Sequence, residues 1–388
     1  MSASISILSS QPSPAPEVLY VGRPNIGERE TLLRRINEML DRRWFSNDGP
    51  FVKEFEARIA ELLGIKNCIA LCNATVALEI ASRALDFHGE VIVPSYTFIA
   101  TAHALQWQEI TPVFCDMGPA THNIDPAKIE RLITPKTTGI VGVHVWGRGC
   151  DTDAIEEVAK KHNLKVMYDA SHGFGCTRNG RMLGTSGACE VFSFHATKFI
   201  NCFEGGAVVT NDDALAEKMR LMRNFGFKGF DNVEYLGVNG KMNEASAAMG
   251  LTSLEAMDDI IAVNRRNYEA YGDGLAGLPG ISLIRYDPAE KNNFQYIVVE
   301  VDPDVCPRNR DEIVAILHSE NIIARKYFWP GCHRMEPYRS LQPNAGLLLP
   351  KTERVAAGVM VLPTGQEVSE ETVQRVCGVI RKAVASSG

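Results

Sequence analysis

The sequence predicts an α/β fold: a mixed, mostly parallel sheet covered by helices on both faces, followed by a smaller α+β domain. Two observations carry this expectation. From about residue 50 to residue 223, short apolar runs alternate with amphipathic helical patterns. Strands separated by helices pair in parallel, and such sheets are covered on both faces. Then Gly277, Pro279 and Gly280 interrupt the chain, and a shorter, less regular succession of strand-like and helix-like segments follows.

Residues 1–20 are rich in Ser and Pro, carry no basic residue and contain only a short apolar patch. They are expected to form a disordered polar tail, not a signal peptide or an anchor. Residues 28–42 place Leu32, Leu33, Ile36 and Leu40 at helical spacing, which predicts a lead-in helix. Strands are predicted at 68–72, 90–94, 112–115, 139–145, 165–169, 190–194 and 207–210, where apolar runs are bounded by turn residues. Helices are predicted between them at 75–85, 99–107, 126–132, 152–162 and 213–223. Residues 243–275 carry one long helical pattern that bridges to the second part, so a large domain is expected over 21–275. The remainder, 276–388, is expected to be a small α+β domain. It has strand-like segments at 295–301 and 322–327, helix-like segments at 311–320 and 370–384, and a loop rich in Pro and Gly between them.

A chain of 388 residues exceeds what one hydrophobic core usually serves. Its 45% apolar and 22% charged residues are those of an ordinary globular protein, which excludes a collagen, a coiled coil or a wholly disordered chain. The net charge of −7 provides no positive field for a nucleic-acid backbone, so an anionic ligand has to be met locally. The 10 cysteines are scattered without a C-x-x-C pair and read as reduced packing thiols of a cytoplasmic protein; no metal site is expected. No apolar run reaches the roughly 18 residues that a membrane span needs. No G-x-G-x-x-G follows a strand and no Walker motif is present, which disfavours a nicotinamide oxidoreductase and a nucleotide hydrolase.

The chemistry concentrates in Tyr168-Asp169-Ala170-Ser171-His172 and, one predicted strand later, in the segment from Ser193 to Gly206. Asp169 closes an apolar strand, where a carboxylate is costly unless it meets a cation. Lys198 is flanked by Phe194, Phe199, Ile200 and Phe203, a setting that depresses an amine pKa and frees its lone pair for attack on a carbonyl. A buried carboxylate with a desolvated lysine suits pyridoxal phosphate, whose imine the lysine forms while the acid keeps the pyridine nitrogen protonated. Alone, the two residues also read as a structural ion pair.

Neighbouring segments tip the balance. In Cys72-Asn73-Ala74-Thr75, which follows a strand and opens a helix, Asn73 can cap the helix and the free N–H groups at the helix start can hold an anion. Tyr96 and Phe98 end the next strand, and either ring could cover one face of a planar ligand. Ser193 could add a hydroxyl to the phosphate. All of these lie at strand ends of one sheet, where such folds bind ligands.

These segments, in this order, give the chain its resemblance to the pyridoxal-phosphate-dependent sugar aminotransferases of the DegT/DnrJ/StrS family, from about Val21 onward. The likeness is carried by Trp44-Phe45-Ser46-Asn47-Asp48-Gly49-Pro50, Pro94-x-x-Thr97-Phe98-x-Ala100-Thr101, Asp169-Ala170-x-His172, Ser193-Phe194-His195-x-x-Lys198 and Glu204-Gly205-Gly206. Later matches are Gly237-Val238-Asn239-Gly240-Lys241-Met242 and Pro330-Gly331-Cys332-His333. The resemblance implies an aspartate-aminotransferase-like (type I) fold and a homodimer with shared active sites. By the same resemblance Lys198 carries the cofactor and moves protons, Asp169 pairs with the pyridinium and His172 lies near the ring oxygen. Phe98 stacks on the ring, while Ala74, Thr75 and Ser193 hold the phosphate and Asn239 reaches it from the other subunit.

Two departures from the family pattern stand out. Asn73-Ala74-Thr75 replaces the usual Ser-Gly-Thr, and Lys241 replaces an arginine, which leaves the clamp for the amino donor's carboxylate open. The implied reaction moves an amino group from L-glutamate to C4 of a nucleotide-linked 4-keto-6-deoxyhexose, with dTDP-4-keto-6-deoxy-D-glucose the expected acceptor, in deoxyaminosugar and antibiotic biosynthesis. A 3-aminotransferase is the alternative. A sugar dehydratase of this family carries histidine in place of Lys198, and a non-catalytic cofactor-binding regulator is expected to have lost Asp169 or Lys198. His333, Tyr327, Lys241 and Arg325 are the expected substrate contacts, with Lys228 and Lys326 as further basic candidates for the diphosphate.

Overall fold

The computed structural model describes residues 18–118 and 120–385. The tail expected over 1–20 falls outside the described residues up to position 17. Its last two residues depart from the expectation: Leu19–Tyr20 (β1) pairs in parallel with Ile322–Ile323 (β15), and the Leu19 N–H donates to the Asn321 carbonyl at 2.9 Å. Leu19 packs on the C-terminal core, and this apolar contact, invisible to local composition, orders the segment.

The main sheet has seven strands in the order β2-β10-β9-β6-β5-β3-β4. They are β2 (Asn67–Leu71), β3 (Glu90–Pro94), β4 (Thr111–Cys115), β5 (Thr137–Val143), β6 (Lys165–Asp169), β9 (Cys189–Ser193) and β10 (Gly206–Thr210). A small hairpin, β7 (Thr177–Arg178) with β8 (Arg181–Met182), separates β6 from β9. Each of the seven strands predicted between residues 68 and 210 is present within two residues at each end. The pairs β3–β4, β3–β5, β5–β6 and β6–β9 are parallel, whereas β10 runs antiparallel to both β2 and β9. The carboxyl ends of β2, β3, β5, β6 and β9 therefore open on one edge, where β10 begins.

Helices Ala74–Ala84, Ala100–Gln106, Thr152–Lys161 and Asp213–Met222 follow strands as expected; the helix predicted at 126–132 is one short α turn followed by a 3-10 turn. Leu78, Ala81, Leu105, Val93 and Met219 fill one face of the sheet. Phe55, Ile59, Phe192, Phe194, Leu251 and Ile260 fill the other. The helix Pro50–Leu63 supplies much of that second layer, and Glu244 accepts hydrogen bonds from the Phe51 and Val52 N–H groups at its start, 2.9 Å each. All ten cysteines are free, and all but Cys72 are buried.

The long pattern at 243–275 is two helices, Glu244–Glu255 and Met257–Leu275, broken at Ala256. A short hairpin, β11 (Phe227–Lys228) with β12 (Asn232–Val233), precedes them. The C-terminal part is built on an antiparallel sheet of β13 (Ile281–Leu283), β14 (Ile297–Val301) and β16 (Val359–Leu362), covered by Arg310–Ser319 and Glu370–Ala385. The strand expected at 322–327 is confined to β15, beyond which only Arg325 bridges to Val361. The Pro/Gly-rich stretch read as loop contains the helix Pro350–Gly358, because proline at a first helical position starts a helix as readily as it ends one. No helix among the described residues is long and apolar enough to cross a membrane.

Arg223 ties the N-terminal layer to the edge strand. Its guanidinium, 4% exposed, donates to the Ala70 carbonyl at 2.9 Å, to Glu56 at 2.5 Å and to Asp48 at 2.6 Å. Glu56 in turn accepts from the Ala70 N–H. Removing a buried cation strands its carboxylate partner, so Arg223→Leu is expected to lower unfolding free energy by about 3 kcal/mol. Arg34→Leu, which breaks an exposed pair with Glu38, should change it by less than about 1 kcal/mol. Urea denaturation of both variants measures the difference.

Candidate active site

β6 delivers Asp169 to the open edge, 5% exposed. Its Oδ2 accepts from the Thr101 hydroxyl at 2.8 Å and its Oδ1 from the Ser171 N–H at 3.0 Å. Thr97 buttresses Thr101 at 3.0 Å, so two residues of the motif after β3 fix the rotamer of a carboxylate on β6. Each carboxylate oxygen keeps acceptor capacity for a further donor.

Lys198 lies in the turn-rich segment after β9. The Lys198 N–H donates to the His195 carbonyl, and the Phe199 N–H is held by the Gln295 side chain at 3.2 Å. The Lys198 Nζ donates to the Tyr296 hydroxyl at 3.1 Å. Burial pulls the amine pKa down to about 8 against the opposing pull of the Asp169 carboxylate. This is the desolvated amine the flanking aromatics predict. Tyr296 has no role in the sequence reading: an aromatic in a strand-like run reads as core, and only the fold reveals that its hydroxyl meets Lys198.

His172 is 5% exposed and lies nearly parallel to two rings, Trp146 (centroids 5.7 Å apart) and Phe328 (5.8 Å), which also contact each other at 5.2 Å, with the Tyr296 ring edge-on to it at 4.8 Å. Burial first, and then the Lys198 charge, hold its pKa well below the usual histidine range. Of the two aromatics after β3, Tyr96 is fully buried and donates its hydroxyl to the Tyr327 carbonyl at 2.7 Å. Phe98 is 57% exposed and meets the Phe328 ring in a T-shaped contact, centroids 6.5 Å apart. The structure thus leaves Phe98 as the ring free to cover a planar ligand.

The anion cradle follows β2. Asn73 is extended, and its side chain accepts from the Val76 N–H at 2.9 Å. Helix geometry leaves the Ala74 and Thr75 N–H groups without intrahelical acceptors. Gly206 pairs with Leu71 on one side and Ser193 on the other, which puts Ser193 and the cradle at the two neighbours of one residue. A Cβ on Gly206 would come within 2.5 Å of the Asn73 carbonyl carbon, so the close approach of β10 to the turn requires glycine. Asn239 is exposed, and the adjacent Gly240 carbonyl accepts from the Cys72 N–H at 2.8 Å. The edge thus presents an anion cradle, an exposed aromatic face, an acceptor carboxylate and a depressed amine.

The expected substrate contacts fare unevenly. His333 is corrected: it is 2% exposed, its Nδ1 shares a hydrogen bond with the Ser95 hydroxyl at 2.6 Å and its Nε2 meets Glu353 at 2.7 Å. It clamps the loop of 330–334 onto the end of β3 and has no ring nitrogen left for a ligand. Lys241 is half-buried, bonded to Asn224 at 2.8 Å and packed over Phe225. Tyr327 is half-buried beside the site with the exposed Arg325 guanidinium over its ring at 5.1 Å, so these two come together. Lys228 and Lys326 are engaged by Glu234 and Asp311.

The family model of DegT/DnrJ/EryC1/StrS aminotransferases matches residues 27–381. The chain is 36% identical over 364 residues to a dTDP-4-amino-4,6-dideoxy-D-glucose transaminase of Shigella dysenteriae, covering 94% of this chain and 98% of that protein. It is 37% identical over 351 residues to a GDP-perosamine synthase of Caulobacter vibrioides, covering 87% and 91%. Among solved structures it resembles DesI in the presence of its TDP-sugar product, with a TM-score of 0.93 and 47% identity over 97% of this chain and 95% of that one.

Two outcomes follow from this geometry. Chemical modification of Lys198 in the cofactor-free protein should rise with pH about a midpoint near 8, because the amine reacts only when deprotonated, whereas surface lysines should titrate near their ordinary value. Quantitative peptide mass spectrometry across pH 6–11 reads both. Gly206→Ala should weaken phosphate or cofactor binding about tenfold or more, measured by equilibrium dialysis, because the new Cβ displaces the cradle backbone.

Proposed function

Because the chain belongs to the DegT/DnrJ/EryC1/StrS aminotransferase family, we propose that it uses pyridoxal phosphate to move an amino group from L-glutamate to C4 of TDP-linked 4-keto-6-deoxy-D-glucose. The observation that carries the reading is the depressed Lys198 amine, coupled to the buried Asp169 carboxylate on the same strand edge as an anion cradle. The acceptor sugar is supported by the transaminase relative and by the TDP-sugar product in the DesI structure; the perosamine synthase makes GDP the competing nucleotide.

The residues present fit the cofactor. Ala74 and Thr75 N–H groups with the Ser193 hydroxyl would take the phosphate, in the cradle that Gly206 keeps open. The Asp169 carboxylate, already oriented by Thr101, would accept the pyridine N–H. Phe98 would cover one ring face. Bound there, pyridoxal phosphate supplies an electron sink for the carbon that exchanges nitrogen.

The chain's own groups do the rest. Lys198 has an amine whose pKa of about 8 makes its neutral form far more accessible near neutral pH than that of an ordinary lysine, and that form can take a proton from one carbon and return it to another. The Tyr296 hydroxyl gives that amine a fixed resting partner at 3.1 Å. His172, neutral and nearly buried, presents a donor without a competing charge. Tyr327, close enough to Lys198 to feel its charge, and the exposed Arg325 over its ring are the side chains that a nucleotide sugar would meet.

The functional unit in this reading is a homodimer. Asn239 is exposed and has Val238 and Leu236 as exposed apolar neighbours, which with Trp107 line a shared groove. An exposed apolar surface of that kind suits a subunit contact. Asn239 would serve the partner's phosphate site.

Incubation with glutamate and a panel of TDP-, UDP- and GDP-linked 3-keto and 4-keto sugars, with mass and NMR identification of products, tests the proposal. The expected product is the TDP-linked 4-amino-4,6-dideoxyglucose, and glutamate alone should bleach the visible absorbance of the protein. Lys198→Ala should lose turnover by roughly 10²–10⁴-fold or more. Full turnover by that variant, or amination only of 3-keto sugars, contradicts the assignment.

A further inference from the structure

One hydrogen-bonded chain runs from the C-terminal sheet to the site and plays no part in the reading above. Glu300 on β14 meets His122 Nε2 at 2.6 Å, the Trp146 indole N–H donates to His122 Nδ1 at 3.0 Å, and the Trp146 backbone N–H donates to His172 Nδ1 at 3.2 Å.

The direction of each bond is fixed by chemistry. An indole N–H and a backbone N–H can only donate, so Nδ1 of each histidine is an acceptor and each ring, when neutral, carries its proton on Nε2. His122 therefore donates to Glu300, and His172 keeps its Nε2–H for whatever lies beyond. The Trp146 ring also lies nearly parallel to His172, at 16°, and to Phe328, at 10°. Two links of the chain, His122 at φ 63° and Trp146 at φ 62°, occupy the left-handed region that residues with side chains rarely adopt. Such conformations persist where the surroundings over-determine them, and they cluster at functional sites. His122 and Trp146 are both nearly or fully buried.

We propose that Trp146 and His122, anchored by Glu300, are positioning residues that hold His172 as a neutral Nε2–H donor facing the cofactor. The proposal rests on the functional reading above for what His172 faces, and on this chain alone for how it is held. Without the indole bond the turn at Trp146 loses the one tether through its own side chain, the Val145 N–H bond to Asn123 remaining, so the backbone donor to Nδ1 gains room to move and His172 can exchange tautomers. A donor aimed at the cofactor would then be present only part of the time.

The test uses full-length protein with selectively ¹⁵N-labelled histidine. Long-range ¹H–¹⁵N spectra, with His172 identified by its loss in a His172→Gln protein, report its tautomer without any cofactor. Wild type should show His172 protonated at Nε2 only. Trp146→Phe, which keeps the ring and the backbone N–H, and His122→Phe should both show mixed tautomers. Their dissociation constants for pyridoxal phosphate should rise about tenfold, the lower end of what orienting contacts contribute at metal sites. Glu300→Ala should move in the same direction and Glu300→Gln, which keeps an acceptor, should restore wild-type behaviour. If His122→Phe does not fold, Trp146→Phe decides. A pure Nε2–H tautomer with unchanged cofactor affinity in Trp146→Phe overturns the inference. Wild-type protein that binds no pyridoxal phosphate counts instead against the proposed function, while the tautomer still decides how His172 is held.

Discussion

The site depends on two groups of opposite charge being withdrawn from water on one sheet edge. A carboxylate at the end of an apolar strand is costly unless something compensates it, and desolvation disfavours a protonated amine. Asp169 and Lys198 each supply part of what the other lacks. Burial wins on the lysine, whose pKa falls to about 8 even with the carboxylate pulling upward. That balance leaves an amine able to act as nucleophile and as base near neutral pH. The register of β6, β9 and β10 brings the neighbouring groups to the same edge: Asp169 lies opposite Val191, Ser193 opposite Gly206, and Gly206 opposite Leu71 at the end of the strand that leads into the Asn73 turn.

The C-terminal part completes the site from the other side. Tyr296, just before β14, and Phe328, beyond β15, pack on His172, and Gln295 holds the backbone next to Lys198. The His333–Glu353 and Ser95–His333 bonds fasten this part to the end of β3. Those buried polar links explain why conspicuous residues in a turn-rich segment serve construction and not recognition. The net charge of −7 is no obstacle to anionic ligands, because the proposed cradle would use backbone N–H groups and a helix start, not a basic surface.

Much of this was legible in the residues. The main-sheet strands are short apolar runs bounded by turn residues, a strong local signal, and the site motifs fall at their ends because the chain leaves the sheet there. What was not legible depends on contacts distant in sequence. Tyr296 reads as a core aromatic until Lys198 is placed 98 positions away in sequence but 3.1 Å away in space. Thr101 was part of a quoted motif without a role, since nothing local announces that its hydroxyl faces Asp169. His333 looked available because loops carry function more often than average, and its burial against Ser95 and Glu353 is tertiary. Leu19 and Tyr20 looked like tail because their partners lie at residues 322 and 323.

The central claim is that Lys198, and no other lysine, is the group that reacts with the cofactor. Borohydride reduction of the protein loaded with pyridoxal phosphate, followed by proteolysis and peptide mass mapping, tests it directly. The account predicts a single stoichiometric pyridoxyl adduct on the peptide containing Lys198, absent from Asp169→Asn protein that has lost affinity for the cofactor. An adduct on Lys241 or another lysine, or none with Lys198 unmodified under saturating cofactor, would contradict it.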